Sequence, residues 1–284
     1  MNLLVAALSL AVAATPAEVA KAEALMNEGF RLLNDGFFEE AQRPLLEATA
    51  RWKKLGPKYE PDWRAAQNNL ATAYRRQGKV ELAILILEEV VAAADKVKGP
   101  DKLSRTRVAL NNLGMAYKYA NRSADARRVL ERAIGLAPSG PPDEELAREL
   151  DNLAGLLLET ADFAAATRLL RRSTAAWLAL RGPDDLDYGI SLASMGTLEM
   201  RQKLPGARRT LGEALRIVEK SLGPEHPEVS ALLNLLGELE VREGHMEAAR
   251  KHFLRSLTIA ERALQPDHPQ LLEAQAGVKL TAGK

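Results

Sequence analysis

Leu222-Gly223-Pro224-Glu225-His226-Pro227 is followed 42 residues later by Leu264-Gln265-Pro266-Asp267-His268-Pro269, and this pair of segments decides the fold. Glycine accepts the left-handed backbone that closes a helix, and proline just after it cannot continue one, so Gly223-Pro224 reads as a helix stop. The second proline, three residues on, suits the first turn of the next helix. Working outward, the stop stands also at Gly56-Pro57, Gly99-Pro100, Gly140-Pro141 and Gly182-Pro183, with Gln265-Pro266 as a degenerate sixth copy. Successive intervals are 43, 41, 42, 41 and 42 residues. A helix stop at so steady an interval predicts an all-α array of stacked repeats, a single folded region whatever its length.

Two further registers lie inside each interval. A small residue stands at Gly29, Ala71, Gly114, Ala154, Gly196 and Gly237, and a second at Ala41, Ala83, Ala126, Ala166, Ala207 and Ala249. Antiparallel helices approach closely only where a side chain is nearly absent, so each repeat is expected to be a helix pair crossing at these two positions. Four residues after the second small position come Leu45, Leu87, Leu130, Leu170, Leu211 and Phe253, one helical turn onward. The turn within each pair carries Gly36, Gly78, Asn121, Ala161 and Gly244. Gly and Asn suit a left-handed turn residue; Ala161 and the shortened fifth repeat depart from that pattern.

The order small residue, aromatic or Leu, turn Gly, Ala, large apolar, small residue is similar to the tetratricopeptide repeat. The interval near 42 and the Gly-Pro-Glu-His-Pro linker resemble its kinesin-light-chain-type long form. The resemblance implies a right-handed superhelical solenoid of about six antiparallel helix pairs over residues 17–268, closed by a capping helix and tail at 269–284. It also implies that the first helix of each repeat lines a concave groove that holds an extended peptide or partner protein.

The resemblance implies groove positions three residues before, one after and four after the first small residue, on one strip of the helix. The earlier position carries Asn68, Asn111, Asp151 and Asn234 in repeats two, three, four and six, and the later one Arg75 and Lys118 in repeats two and three. An amide offers donor and acceptor to a main chain, and the two cations favour an acidic segment. Asn68, Arg75, Asn111, Lys118, Asp151 and Asn234 are therefore the candidate peptide-binding residues. The bland alternative has the asparagines bonding neighbouring helices and the lysine solvated. At the level of the whole protein the alternative is a structural or homo-oligomerisation module with no peptide ligand.

Other constellations carry less. The chain has 284 residues, 39 basic against 38 acidic, so no overall field draws it to nucleic acid or anionic lipid. The basic pairs Arg127-Arg128, Arg171-Arg172, Arg208-Arg209 and Arg250-Lys251 read as a solvated face. With no cysteine, no Gly-x-Ser-x-Gly elbow and no Gly-rich phosphate loop, no catalytic residue and no cofactor is expected. His226 and His268 lack convergent donors, so no metal site is expected, and they read as linker side chains at the start of the next helix. His245 and His252 likewise show no partner in the sequence. Trp52, Trp63 and Trp177 fit packing between repeats better than a sugar platform. Residues 1–14 have two readings. The apolar run ending in small residues reads as a secretory leader, placing the protein in the periplasm or outside a bacterial cell. Without Lys or Arg before it, the run also reads as an extension of the first helix, with a cytoplasmic protein. It is too short for a stable membrane span, which needs roughly 20 residues.

Overall fold

A computed structural model describes residues 14–96 and 102–283. The candidate leader, apart from Ala14, and the Gly99-Pro100 stop lie outside the described residues. Those residues form thirteen α-helices and no strand. In chain order they are α1 (Pro16–Asn34), α2 (Gln42–Leu55), α3 (Glu60–Arg76), α4 (Val80–Lys96), α5 (Lys102–Tyr119), α6 (Ser123–Gly135) and α7 (Glu144–Glu159). There follow α8 (Phe163–Arg181), α9 (Leu186–Arg201), α10 (Ala207–Leu222), α11 (Pro227–Arg242), α12 (Met246–Ala263) and α13 (Pro269–Thr281). A 3-10 turn at Pro57–Tyr59 leads into α3.

The chain forms two compact parts, residues 1–133 and 134–284. In the first, α1 to α5 pack each on the next, and the odd-numbered helices also touch, α1 on α3 and α3 on α5. In the second, α7 to α13 follow the same rule, with α7 on α9, α9 on α11 and α11 on α13. Within each part the first helices of successive repeats are thus neighbours, the arrangement that a groove along them requires.

The small positions do what close crossing demands. A Cβ built on Gly29 would lie 2.5 Å from Leu45 Cγ, one on Gly114 2.6 Å from Leu130 Cγ, and one on Gly196 2.7 Å from Leu211 Cγ. On Gly237 it would meet the Phe253 ring at 2.7 Å. In every case the obstacle is the large residue four after the second small position. Leu45, Leu130 and Leu211 are wholly buried there, each worth about 1.5–3 kcal/mol of apolar transfer.

The turns within the pairs are more uniform than their residues. Gly36, Gly78, Asn121, Ala161, Lys203 and Gly244 all have φ between 56° and 84°. In all six the following amide donates to the carbonyl five residues back, as in Phe37 N to Leu32 O and Leu204 N to Glu199 O, both 2.8 Å. This is the Schellman closure, which satisfies orphan carbonyls at a helix end. Ala161 and the shortened fifth repeat, where Lys203 takes the turn position, keep the conformation without the favoured residue.

The linker glycines differ from expectation in detail. Gly56, Gly182 and Gly223 stop α2, α8 and α10 with φ of 94°, 89° and 88°. Their ψ values of −173°, 177° and 158° send the chain on extended, in a region open essentially to glycine alone, instead of coiling it into a left-handed cap. Gly140 does not stop a helix, because α6 already ends at Gly135 and Pro138 bars its continuation. Gln265 is likewise not the stop; Leu264, extended, ends α12.

Helix starts are capped by side chains. Thr15 forms a capping box with Glu18, and Asp143, Asp162 and Asp185 accept from the first-turn amides of α7, α8 and α9. At α11 and α13 the cap is histidine: His226 Nδ1 accepts from Glu228 N at 3.1 Å and His268 Nδ1 from Gln270 N at 3.3 Å, each ahead of a first-turn proline. Both rings therefore carry their proton on Nε2.

Candidate functional site

The six candidate residues divide by what holds their polar atoms. Asp151 on α7 is engaged inside the protein: its carboxylate accepts from Trp177 Nε1 of α8 at 2.7 Å and from Ser191 Oγ of α9 at 2.8 Å. Ser173 of α8 joins the group, 3.1 Å from Ser191. Burial raises the Asp151 carboxyl above the ordinary aspartate range, while bonds from Ser173, Trp177 and Ser191 pull it down. Asn234 on α11 is engaged the same way. It is 5% exposed, takes a bond from Ser256 Oγ of α12 at 2.6 Å, and donates to the Gln270 carbonyl of α13 at 2.9 Å. In both repeats the residue three before the small position ties its own second helix to the first helix of the next repeat. The bland alternative thus describes Asp151 and Asn234.

Repeat two differs. Asn68 on α3 is half-buried, and its Oδ1 is sealed from solvent with no hydrogen-bond partner. The serine that meets Asn234 has Val90 as its counterpart on α4, which offers no polar atom. Two turns along α3, Arg75 lays its guanidinium over the Tyr119 ring, 4.5 Å from the centroid. Burial pulls Arg75 below the usual arginine range, with Tyr119 acting in the opposite sense. No carboxylate pairs with Arg75 among the described residues. Asn111 and Lys118 occupy the matching places on α5, each half-buried. Tyr119, 54% exposed, is the member that sequence reasoning missed. The signal was its place directly after Lys118, as an exposed aromatic at the end of a groove helix.

The basic pairs on the second helices are matched by acids in part. Arg127 pairs with Glu131 at 2.8 Å and Arg128 with Asp125 at 3.0 Å. Arg208 binds both Glu240 and Glu243. His245 is not isolated as the sequence suggested, since its Nδ1 lies 2.9 Å from Glu240 Oε2. Glu240, Glu243 and His245 bring their ligand atoms within 4.8 Å of one another, but the Arg208 guanidinium already sits on both carboxylates. Among the described residues, no helix is long and apolar enough to cross a membrane.

Helix pairs crossing at paired small residues, with Schellman-closed turns and first helices in contact, define a helix-pair repeat protein. A family model described as tetratricopeptide repeat matches residues 62–139 and 195–262, and a second with the same description matches 26–97. The chain belongs to the tetratricopeptide repeat family. Its fold is similar to that of BtubC (BKLC) from P. vanneervenii, with a TM-score of 0.63 at 16% identity over 89% of this chain and 94% of that one. It is similar also to a kinesin-light-chain-type protein of Podosopora anserina with nearly identical repeats, at TM-score 0.55 and 20% identity over 70% of this chain and 96% of that one. A chain of the APC/C hetero-tetramer Cut9-Hcn1 aligns at TM-score 0.66 and 15% identity, over 92% of this chain and 43% of that one. No curated protein sequence matches the chain.

Proposed function

We propose that this protein is a non-catalytic interaction scaffold that holds an extended, acidic segment of another protein along α3 and α5. The observation that carries the reading is the contrast within one register. Asp151 and Asn234 are tied to neighbouring helices, while Asn68 keeps an unpaired buried oxygen and Arg75 a half-buried guanidinium with no carboxylate. A buried polar atom without a partner costs about 1–3 kcal/mol, which a ligand that supplies the partner recovers as affinity. A peptide amide answers Asn68 once the side chain turns its sealed oxygen toward the groove, and a peptide carboxylate answers Arg75, with Tyr119 holding the guanidinium flat for two parallel hydrogen bonds. Lys118, one repeat on, extends the cationic strip to a second acidic side chain.

The test is fluorescence polarisation with labelled decapeptides that carry Glu at varied spacing, each beside its Gln counterpart. Glu peptides are expected to bind, and Arg75→Glu with Lys118→Glu to weaken them at least tenfold at an unchanged melting temperature. Equal binding of Glu and Gln peptides, or undiminished binding by the double variant, would end the proposal.

A further inference from the structure

Away from the groove strip, a cavity of about 420 Å³ lies between the end of α2, the start of α3 and the end of α4. Small-molecule pockets span roughly 300–1,000 Å³, so the size is that of a binding site. Its walls include the rings of Trp52 and Trp63, the small side chains of Ala92 and Ala93, and Lys96.

Repeats five and six carry larger residues at the matching place. The tenth residue after the second small position is Ala93 in α4, but Ile217 in α10 and Ile259 in α12, both buried. Repeat four also has alanine there, and Ala176 is buried among Ala147, Trp177 and Tyr188. Ile217 packs tightly on α9, its Cγ2 only 2.7 Å from where a Cβ on Gly189 would lie. In repeats five and six the thirteenth residue is a cation held by an acid of the preceding linker: Lys220 by Asp184 at 2.7 Å and Arg262 by Glu225 at 2.8 Å. In α4 the cation is Lys96, yet that linker place carries Lys58. No ion pair to Lys96 is found among the described residues. The wall's acids are already matched, Glu89 by Lys53 at 2.8 Å and Glu60 by Arg64 and Arg105.

The indoles add a second, independent mark. Trp52 is 1% exposed and Trp63 5%, and neither Nε1 has an acceptor. An indole N–H can only donate. Trp177, at the register of Trp52, donates to Asp151; the residue in the place of Asp151 beside Trp52 is Met26, which has no comparable acceptor. Missing bulk, an unmatched cation and two unanswered donors converge on one chemistry. We propose that the cavity is a binding site for a small organic anion, an aromatic or aliphatic body bearing a carboxylate. The body fills the volume that isoleucine takes in repeats five and six, and the carboxylate answers Lys96, with an indole N–H joining once its ring turns toward the cavity.

The probes are benzoate, 4-phenylbutyrate and octanoate, titrated into the full chain while tryptophan fluorescence is read, with 4-phenylbutylamine and 4-phenyl-1-butanol as controls of the same body. At least one acid is expected to give a saturable change that persists in Trp177→Phe, with the amine and alcohol at least tenfold weaker. Ala93→Ile is expected to abolish that change. Lys96→Glu is expected to weaken the acid at least tenfold and serves alone if Ala93→Ile does not fold. Absence of saturable binding by all three acids, equal binding of the amine, or undiminished binding in both variants would overturn the site. So would capture of a Glu-bearing peptide that Ala93→Ile blocks while no free acid binds, since the occupant would then be a protein side chain. None of these outcomes depends on Arg75 or Lys118, so the two proposals stand or fall separately.

Discussion

Ala161 and Lys203 hold φ of 61° and 56°, where their Cβ atoms crowd the following carbonyl. The Schellman bond that closes each turn holds them there. Glycine removes the clash but loses more chain entropy on folding, so Ala161→Gly and Lys203→Gly are each expected to stabilise the protein by about 0.5–1 kcal/mol. Asn121→Gly should gain less, because asparagine tolerates this backbone; urea unfolding of the three variants checks the order. Asp151 offers a test of a different kind. Its carboxyl is raised by burial, so between its unfolded and folded values the folded chain binds more protons than the unfolded one. Stability from this group therefore falls as pH rises through that interval and is level above it. Asp151→Asn keeps an acceptor for Trp177 and a donor for Ser191 without the charge. The Tm of wild type minus that of the variant should shrink from about pH 3 to about pH 6. A difference that grows with pH would mean that the hydrogen bonds outweigh burial.

At the scale of the element, the crossing of α11 and α12 is unlike the others. Alanine stands at the first small position of repeats two and four, where the facing residues are Leu87 and Leu170. In repeat six the facing residue is Phe253, whose ring lies against the Cβ positions of both Gly237 on α11 and Gly277 on α13. It cannot withdraw from one helix without striking the other. Gly237→Ala is therefore expected to cost about 1–3 kcal/mol by overpacking. Adding Phe253→Leu recreates the Ala–Leu pairing of repeats two and four and should recover part of the loss. A double-mutant cycle by thermal unfolding measures that coupling, and strict additivity would refute it.

For the whole molecule, the all-α architecture and the helix pairing were legible because glycine, proline and small residues report on backbone and close approach, which are local demands. Pro138 shows the limit: it ended α6 ahead of the Gly140-Pro141 pair that marked the interval. Lys203 was hidden because the Schellman bond from Leu204 N to Glu199 O, not its own preference, holds its conformation. The candidate site was legible as a strip but not residue by residue. Whether Asn234 faces a ligand or a neighbour depends on Ser256 and on the Gln270 carbonyl, 22 and 36 positions away. The same registered place serves either purpose. The cavity beside Trp52 escaped notice for a similar reason, since its walls come from three helices.

The ties made by Asp151 and Asn234 bear on how such a chain can be rearranged. Each repeat so equipped needs a successor that presents the right atom: a serine hydroxyl on α9 for Asp151, a main-chain carbonyl on α13 for Asn234. Duplication or shuffling of these modules is thus directional. Repeat four followed by a copy of repeat two would set Ala66 where Ser191 stands, stranding one carboxylate oxygen. Repeat two has no tie of this kind to break, so its cost of moving lies elsewhere, in bonds such as that from Tyr117 of α5 to Glu88 of α4.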